Sequence, residues 1–324
     1  MTDPADRYER CSGQAALRGD PMTGSAFPAS RLLLVEQPGP WGRAGLLASR
    51  FDTGIAHRLV ARWERLGIRV VAIRRPGRHV GDGARRWAAV DCRPDRERIV
   101  WGRFAADRDL LELDVPGLLD RPSDASAEVD PVYLVCAHGT HDACCAILGR
   151  PVAAALEAER PGRVWECSHV GGDRFAANVL ILPSGLLYGR VRAEQAADLV
   201  RRTDAGTVDP AGLRGRVGFP SAEQAAMVRV LSTCPDVPIP AGLAALGASR
   251  SAATPSPTPS STPRPVSTAA ADRTGCDAAY PTVCVPPSPP DLDCRDISDR
   301  RFVVLAPDPH RFDGNGDGVG CEMD

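Results

Sequence analysis

The sequence predicts an α/β protein: an N-terminal α/β unit and a second unit of the same class, followed by a linker and a small cysteine-rich module. Three observations predict it. Arg31–Glu36 and Ile68–Ile73 are short apolar runs on either side of Ile55–Leu66, where apolar residues recur near every 3.6 positions. Val132–Val135 and Arg163–Cys167 flank a second helical stretch in the same way, and such alternation places helices over a sheet. Near Ala248 the composition turns to Pro, Ser, Thr and Ala, and beyond it come Cys276, Cys284, Cys294 and Cys321. The units are therefore expected over 10–125 and 126–247, the linker over 248–273 and the module over 274–324.

In the first unit, Trp87–Cys92 and Ile99–Gly102 add two strands to the strand–helix–strand of 31–73. The loop Gln37–Arg43 lacks the Gly-x-Gly-x-x-Gly spacing of a dinucleotide site. It serves as a cover for a metal site, a docking point for an electron donor, or a proline-stiffened structural loop. In the second unit, Cys145–Glu159 reads as a helix whose start Pro151 would mark. Val179–Leu182 and Leu186–Val191 form a hairpin about a Pro-Ser-Gly turn, and Ala193–Arg202 closes the unit as an amphipathic helix.

Sulfur and imidazole concentrate in two short segments of this second unit, 135–145 and 165–176, which hold Cys136, His138, His141, Cys144, Cys145, Cys167 and His169. Thiolate and neutral imidazole suit iron, zinc and copper. The spacing is not that of a zinc ribbon or finger, whose cysteines come as two-residue-gap pairs. The bland alternative for each cysteine is a buried small hydrophobe, and Cys144 is the candidate for it. Asp142 is placed to cap the following helix, and His138 and His141 to supply supporting hydrogen bonds. Gly171 and Gly172 let backbone approach a metal group closely or simply turn the chain. Arg174 can offset thiolate charge or pair with a carboxylate.

The words Cys136-Ala-His-Gly-x-x-Asp-x-x-Cys145, Ser168-His-Val-Gly-Gly172, Arg174-Phe-Ala-Ala-Asn178, Leu182-Pro-Ser-Gly185 and Tyr188-Gly-Arg190, with Leu34–Arg43 upstream, resemble the sucrase/ferredoxin-like family over roughly residues 10 to 235. The resemblance implies that 126–247 is a thioredoxin-like ferredoxin domain holding a 2Fe–2S cluster, with Cys136 and Cys145 on one iron and His169 on the other. Family members with two histidine ligands carry the second four positions on, where this chain has Asp173. Asp173 and Cys167 are the two candidates for the fourth bond. The family name is no warrant for a sugar substrate, because no carboxylate pair can be assigned to glycoside chemistry.

The linker cannot bury enough apolar surface to offset its ordering entropy and is expected to be disordered. In the module beyond it, four cysteines in so short a segment suggest two disulfides. Its end places Asp313, Asn315 and Asp317 at positions one, three and five of a loop with Gly318 at position six, the opening of an EF-hand loop, but Glu322 arrives at position ten instead of twelve. This shortened loop resembles the excalibur calcium-binding region, a bacterial extracellular module, with Asp313, Asn315, Asp317 and Glu322 as ligands and the Val319 carbonyl as a further one. A similar tail occurs on some secreted nucleases; no nuclease core is recognisable here.

All 39 basic residues are arginine, which removes lysine Schiff-base and Walker-type chemistry, and a formal charge of −2 makes no global case for nucleic-acid partners. No apolar run reaches the length of a membrane span, and the first twenty residues lack a signal-peptide core, so a cytoplasmic protein is expected. The calcium module argues for the opposite compartment. The expected function is one-electron transfer between unidentified donor and acceptor proteins, with a calcium module appended. The alternatives are a thiol oxidoreductase or redox sensor using Cys144 or Cys145, and a cluster-free binding protein governed by calcium.

Overall fold

A computed structural model describes residues 10–77, 84–120, 130–233, 275–300, 302–305, 307–313 and 319–321. The helices are α1 (Cys11–Leu17), α2 (Thr53–Glu64), α3 (Val115–Asp120), α4 (Ala143–Glu159), α5 (Ala196–Asp204) and α6 (Ser221–Thr233). The strands are β1 (Arg31–Glu36), β2 (Ile68–Arg74), β3 (Arg85–Asp91), β4 (Arg98–Phe104), β5 (Val132–Cys136), β6 (Val164–Cys167), β7 (Val179–Leu182), β8 (Leu186–Tyr188) and β9 (Leu213–Arg216), with β10 (Phe302–Val303) and β11 (Val319–Gly320) in the module.

β1 to β9 form one mixed sheet in the order β4-β3-β1-β2-β6-β5-β7-β8-β9. Each half repeats the same wiring. β1 runs parallel to β2 and antiparallel to β3, which pairs with β4; β5 runs parallel to β6 and antiparallel to β7, which pairs with β8. The strand–helix–strand–hairpin order expected of the second half thus holds for both. The halves join where β2 meets β6 antiparallel, Ile73 opposite Cys167 and Arg74 opposite Glu166. The boundary expected between 125 and 126 and the linker over 248–273 lie outside the described residues.

Alternation along the strands sorts side chains between two faces. Leu33, Val35, Val70 and Ala72 pack on Ala56, Leu59 and Trp63 of α2, while Tyr133, Val135, Val179 and Ile181 pack on Val152 and Leu156 of α4 and Leu199 of α5. The opposite face is one continuous core across both halves, running from Leu32 and Val90 to Trp165 and Leu187. Cys136, Cys145 and Cys167 belong to it.

Two local expectations are corrected. α4 begins at Ala143, and Pro151 lies inside it on the exposed side. A proline ring there removes one helical hydrogen bond, but burial of Val152, Ala153 and Leu156 holds the helix against the sheet. The second hairpin strand stops at Tyr188, because Arg190 turns to positive φ (54°). β9 and α6 are additions; in β9, Leu-Arg-Gly-Arg carries no apolar alternation yet is wholly buried.

Candidate metal centre

Cys136 ends β5 and Cys167 ends β6, opposite each other in the parallel ladder, so both stand at the carboxyl edge of the sheet where α/β proteins place their ligands. Cys145 arrives from the first turn of α4. That turn is set by Asp142, whose Oδ1 accepts the Cys144 N–H at 2.7 Å, the N-cap expected of it. Gly149 lets α4 come this close, since a Cβ there would overlap the Cys136 carbonyl oxygen. His169 follows β6 through Ser168, whose N–H donates to the Ala72 carbonyl (2.8 Å) and whose Oγ accepts the Ala72 N–H (3.1 Å).

His138 ties these pieces together. The His169 N–H donates to His138 Nδ1 at 3.1 Å, so that ring carries its proton on Nε2, which donates to the Gly42 carbonyl at 2.8 Å. Burial keeps the ring neutral by lowering its pKa. Of the three roles open to the 37–43 loop, packing over the site is the one seen: the Thr140 hydroxyl donates to the Trp41 carbonyl, and the Trp41 ring meets His138 edge-on at 5.8 Å.

Cys136 Sγ, Cys145 Sγ and a His169 ring nitrogen lie within 4.8 Å of one another, all buried, with Cys145 Sγ 3.9 Å from His169 Nδ1. Hydrogen bonds from Cys145 and His169 hold the Cys136 thiol well below its ordinary pKa despite burial. Cys145 is pushed up chiefly by its bond to Cys136, so the two share one negative charge. Burial opposes a charged His169, but Asp293 and the Cys136 thiolate outweigh it and raise that pKa. A thiolate is the metal-binding form of cysteine, and this group can hold a metal ion. It borders a cavity of about 770 Å³ lined by His138, His141, Asp142, His169 and Asp173 together with residues of the C-terminal module.

The two candidates for a fourth ligand stand outside this group. Asp173 Oδ1 accepts the Arg174 N–H at 2.9 Å, and Oδ2 faces Arg311 at 2.8 Å. Burial raises its pKa, with Arg311 opposing. Cys167 is pushed far up by burial and then by the neighbouring Cys136 charge, which keeps it a thiol. Gly171 and Gly172 both take positive φ (82° and 73°) and turn the chain; the space a Gly172 Cβ would fill holds the Arg214 guanidinium. Arg174 makes the carboxylate contact, at 3.2 Å to Asp291.

Four participants were not singled out by sequence reasoning in the places they occupy. His141 makes the expected supporting bond, to the Arg43 carbonyl at 3.4 Å, and also stacks on His169 with centroids 3.8 Å apart; burial followed by the His169 charge lowers its pKa to about 3. Asp293 of the module lies with Oδ1 3.8 Å from His169 Nε2. Cys144 is buried as expected, and Cys11 places its Sγ 3.4 Å from that of Cys144. Arg214, fully buried under the glycine turn, donates to the Gly171 carbonyl and to Asn178 Oδ1, both at 2.8 Å. The His-x-x-His spacing of 138 and 141 was a legible signal; nothing local marks Asp293, Cys11 or Arg214.

In the module, disulfides join Cys276 to Cys284 and Cys294 to Cys321, the two bridges expected, around a core of Tyr280, Phe302 and Phe312. Of the expected calcium ligands, Asn315, Asp317 and Glu322 lie outside the described residues. Asp313 donates its N–H to Asp308 Oδ2 at 2.9 Å, and Val319 pairs with Val303 in the β10–β11 ladder. Among the described residues no helix is long and apolar enough to cross a membrane.

Comparison with curated proteins and with solved structures finds no match. The family model described as sucrase/ferredoxin-like matches residues 23–215, a span that takes in both halves of the sheet and Cys136, Cys145 and His169. That span exceeds half of the chain, and the chain belongs to the sucrase/ferredoxin-like family.

Proposed function

We propose that this chain is an electron-transfer protein that holds a 2Fe–2S cluster on Cys136, Cys145 and His169, with Asp173 or Cys167 in the fourth position. The observation that carries the reading is the convergence of two thiols and an imidazole, from three separate elements, within 4.8 Å. Two cysteines and a histidine, deprotonated as they take up metal, are a donor set suited to iron–sulfur chemistry, and the adjoining cavity leaves room beside them. When bound, the cluster supplies a one-electron couple, and imidazole in place of thiolate makes the site less negative and raises its potential.

The remaining work falls to the chain. Asp142 and Ser168 hold the two ligand loops, and His138 fixes the backbone beside His169. Arg214 places a buried positive charge beneath the 171–172 turn, on the side where the thiolates add negative charge. Its partners are redox proteins that deliver and remove single electrons. Anaerobic reconstitution of the full chain, with iron, acid-labile sulfide and visible spectra, tests the reading. Two irons and two sulfides per chain are expected; a colourless, iron-free protein after reconstitution would sink it. The last fifty residues we read as a calcium-binding module, on the spacing of Asp313, Asn315, Asp317 and Glu322.

A second reading, a thiol redox sensor, is favoured by the Cys11–Cys144 contact. Hydrogen bonding from Cys11 brings the Cys144 pKa down to about 6, a thiolate near neutral pH. Exchange with a small-molecule disulfide would join the two sulfurs, the Cys144 thiolate displacing one small thiolate and Cys11 the other, with the electron pair leaving on the two small thiols and the Cys11 proton going to one of them. Peptide mapping without reductant after such treatment should find the Cys11–Cys144 bridge, and its absence would remove this reading.

A further inference from the structure

The C-terminal module carries a set of charges matched to the rim of the metal centre. Arg174 sends Nη1 to Asp291 Oδ1 (3.2 Å) and to the Pro309 carbonyl (3.2 Å), and Nη2 to Ser288 Oγ (3.1 Å). In the other direction Arg311 of the module meets Asp173 at 2.8 Å, and Arg295 donates to the His169 carbonyl at 3.4 Å. Between these anchors lies Arg69, on β2 and 3% exposed. Among the described residues its ion pairs are with Asp293 (3.0 Å) and Asp296 (3.4 Å), both from the module. With the module in place, Asp293 and Asp296 supply the carboxylates that offset the desolvation of this buried guanidinium. The sheet therefore presents a cation whose partners come from beyond the linker.

Asp293 has a second neighbour. His169 turns Nδ1 towards Cys145 (3.9 Å) and Nε2 towards Asp293 Oδ1 (3.8 Å). A histidine that ligates through one nitrogen carries a proton on the other, and a carboxylate facing that proton fixes the ring's tautomer and orientation and makes the ligating nitrogen more basic. Arg69 in turn holds Asp293 in place.

We propose that the C-terminal module docks in cis over the metal centre, screening it from solvent, and that Asp293 is the positioning residue for His169. The role assigned to Asp293 rests on the reading of His169 as a metal ligand; the docking does not. The docked module lines the cavity with Asp291, Asp293 and Arg311 opposite His138, Asp142 and Asp173, so a redox partner that approaches through this cavity meets the module.

Hydrogen exchange on the metal-free full chain tests the docking. Asp291→Arg should raise exchange across residues 166–175 roughly tenfold, as when about 1.4 kcal/mol of docking free energy is lost. Adding Arg174→Asp, which restores the pair with its charges exchanged, should recover the protection. Recovery is expected to be partial, since aspartate cannot replace the Arg174 bond to the Pro309 carbonyl; unchanged exchange in Asp291→Arg, or a loss that the exchanged pair does not reverse even in part, would overturn the docking. For Asp293, nitrogen NMR of the same metal-free chain should show the His169 ring protonated on Nε2, and Asp293→Asn should alter that signal. In the reconstituted protein Asp293→Asn should move the midpoint potential to more positive values, because a negative charge beside the centre is removed. An unaltered His169 signal and an unaltered potential, with docking intact, would overturn the role of Asp293. Should iron fail to bind at all, the iron analysis reports that separately, and the metal-free measurements still decide docking.

Discussion

Cys136 is the residue on which the site turns. It ends a buried strand, shares a charge with Cys145 and bonds to His169, so removing its sulfur takes away the most anionic donor of the three. Cys136→Ser is expected to lose the iron almost completely under reconstitution, read by iron content against the unsubstituted chain; full retention would strike Cys136 from the ligand set. The two segments that hold Cys136, Cys145 and His169 were legible from their density of sulfur and imidazole, and the choice of these three among the seven cysteines and histidines there rests on the family resemblance. Asp293 was not, because an aspartate among many in a polar tail gains meaning only when Arg69 and His169 are brought against it. Arg214 was hidden for the same reason: an arginine in a short polar stretch reads as surface until Ser25, Asn178 and Gly171 surround it.

At the scale of an element, α4 links fold and site. Its N-terminal turn delivers Cys145, and Gly149 one turn later lets the helix rest on the Cys136 carbonyl. Gly149→Ala gains helix propensity but forces helix and strand apart. Overpacking of this kind typically costs about 1–3 kcal/mol. The expected result is a lower denaturation midpoint together with weaker iron retention, whereas a more stable protein would show that the helix can shift freely. Periodicity found the helix but not its start, because Pro151 is a strong local stop signal and the opposing term, burial of Val152 and Leu156 on the sheet, is not local. β9 lay beyond reach on similar grounds: its strand character comes from the β8 ladder and from internal partners for two buried arginines.

Across the whole molecule, two copies of one strand–helix–strand–hairpin pattern share a single sheet, and only the second carries the cysteines and histidines of the site. The join brings β2, and with it Arg69, beside β6 and His169. That places a buried cation from the first half next to His169 of the second, and the module completes the arrangement with Asp293. Cys294 bonds to Cys321, so the residue next to Asp293 is held covalently to the end of the expected calcium loop. Asp317→Ala should weaken calcium binding by the full chain, measured by titration calorimetry, and leave the visible spectrum of the reconstituted centre unchanged; undiminished calcium affinity would remove Asp317 from that loop.

The sequence by itself determined the α/β class, the order of most strands and helices, that the four C-terminal cysteines form two disulfides, and the two short segments in which sulfur and imidazole gather. Those are carried by local periodicity, turn chemistry and the spacing of a few reactive side chains. Tertiary structure alone decided that the halves form one sheet, that Asp173 faces Arg311, and that Asp293 faces His169. Each of these is a meeting of distant charges or edges, and their pairing is set by burial: a cation such as Arg69 must find its carboxylate wherever the fold brings one.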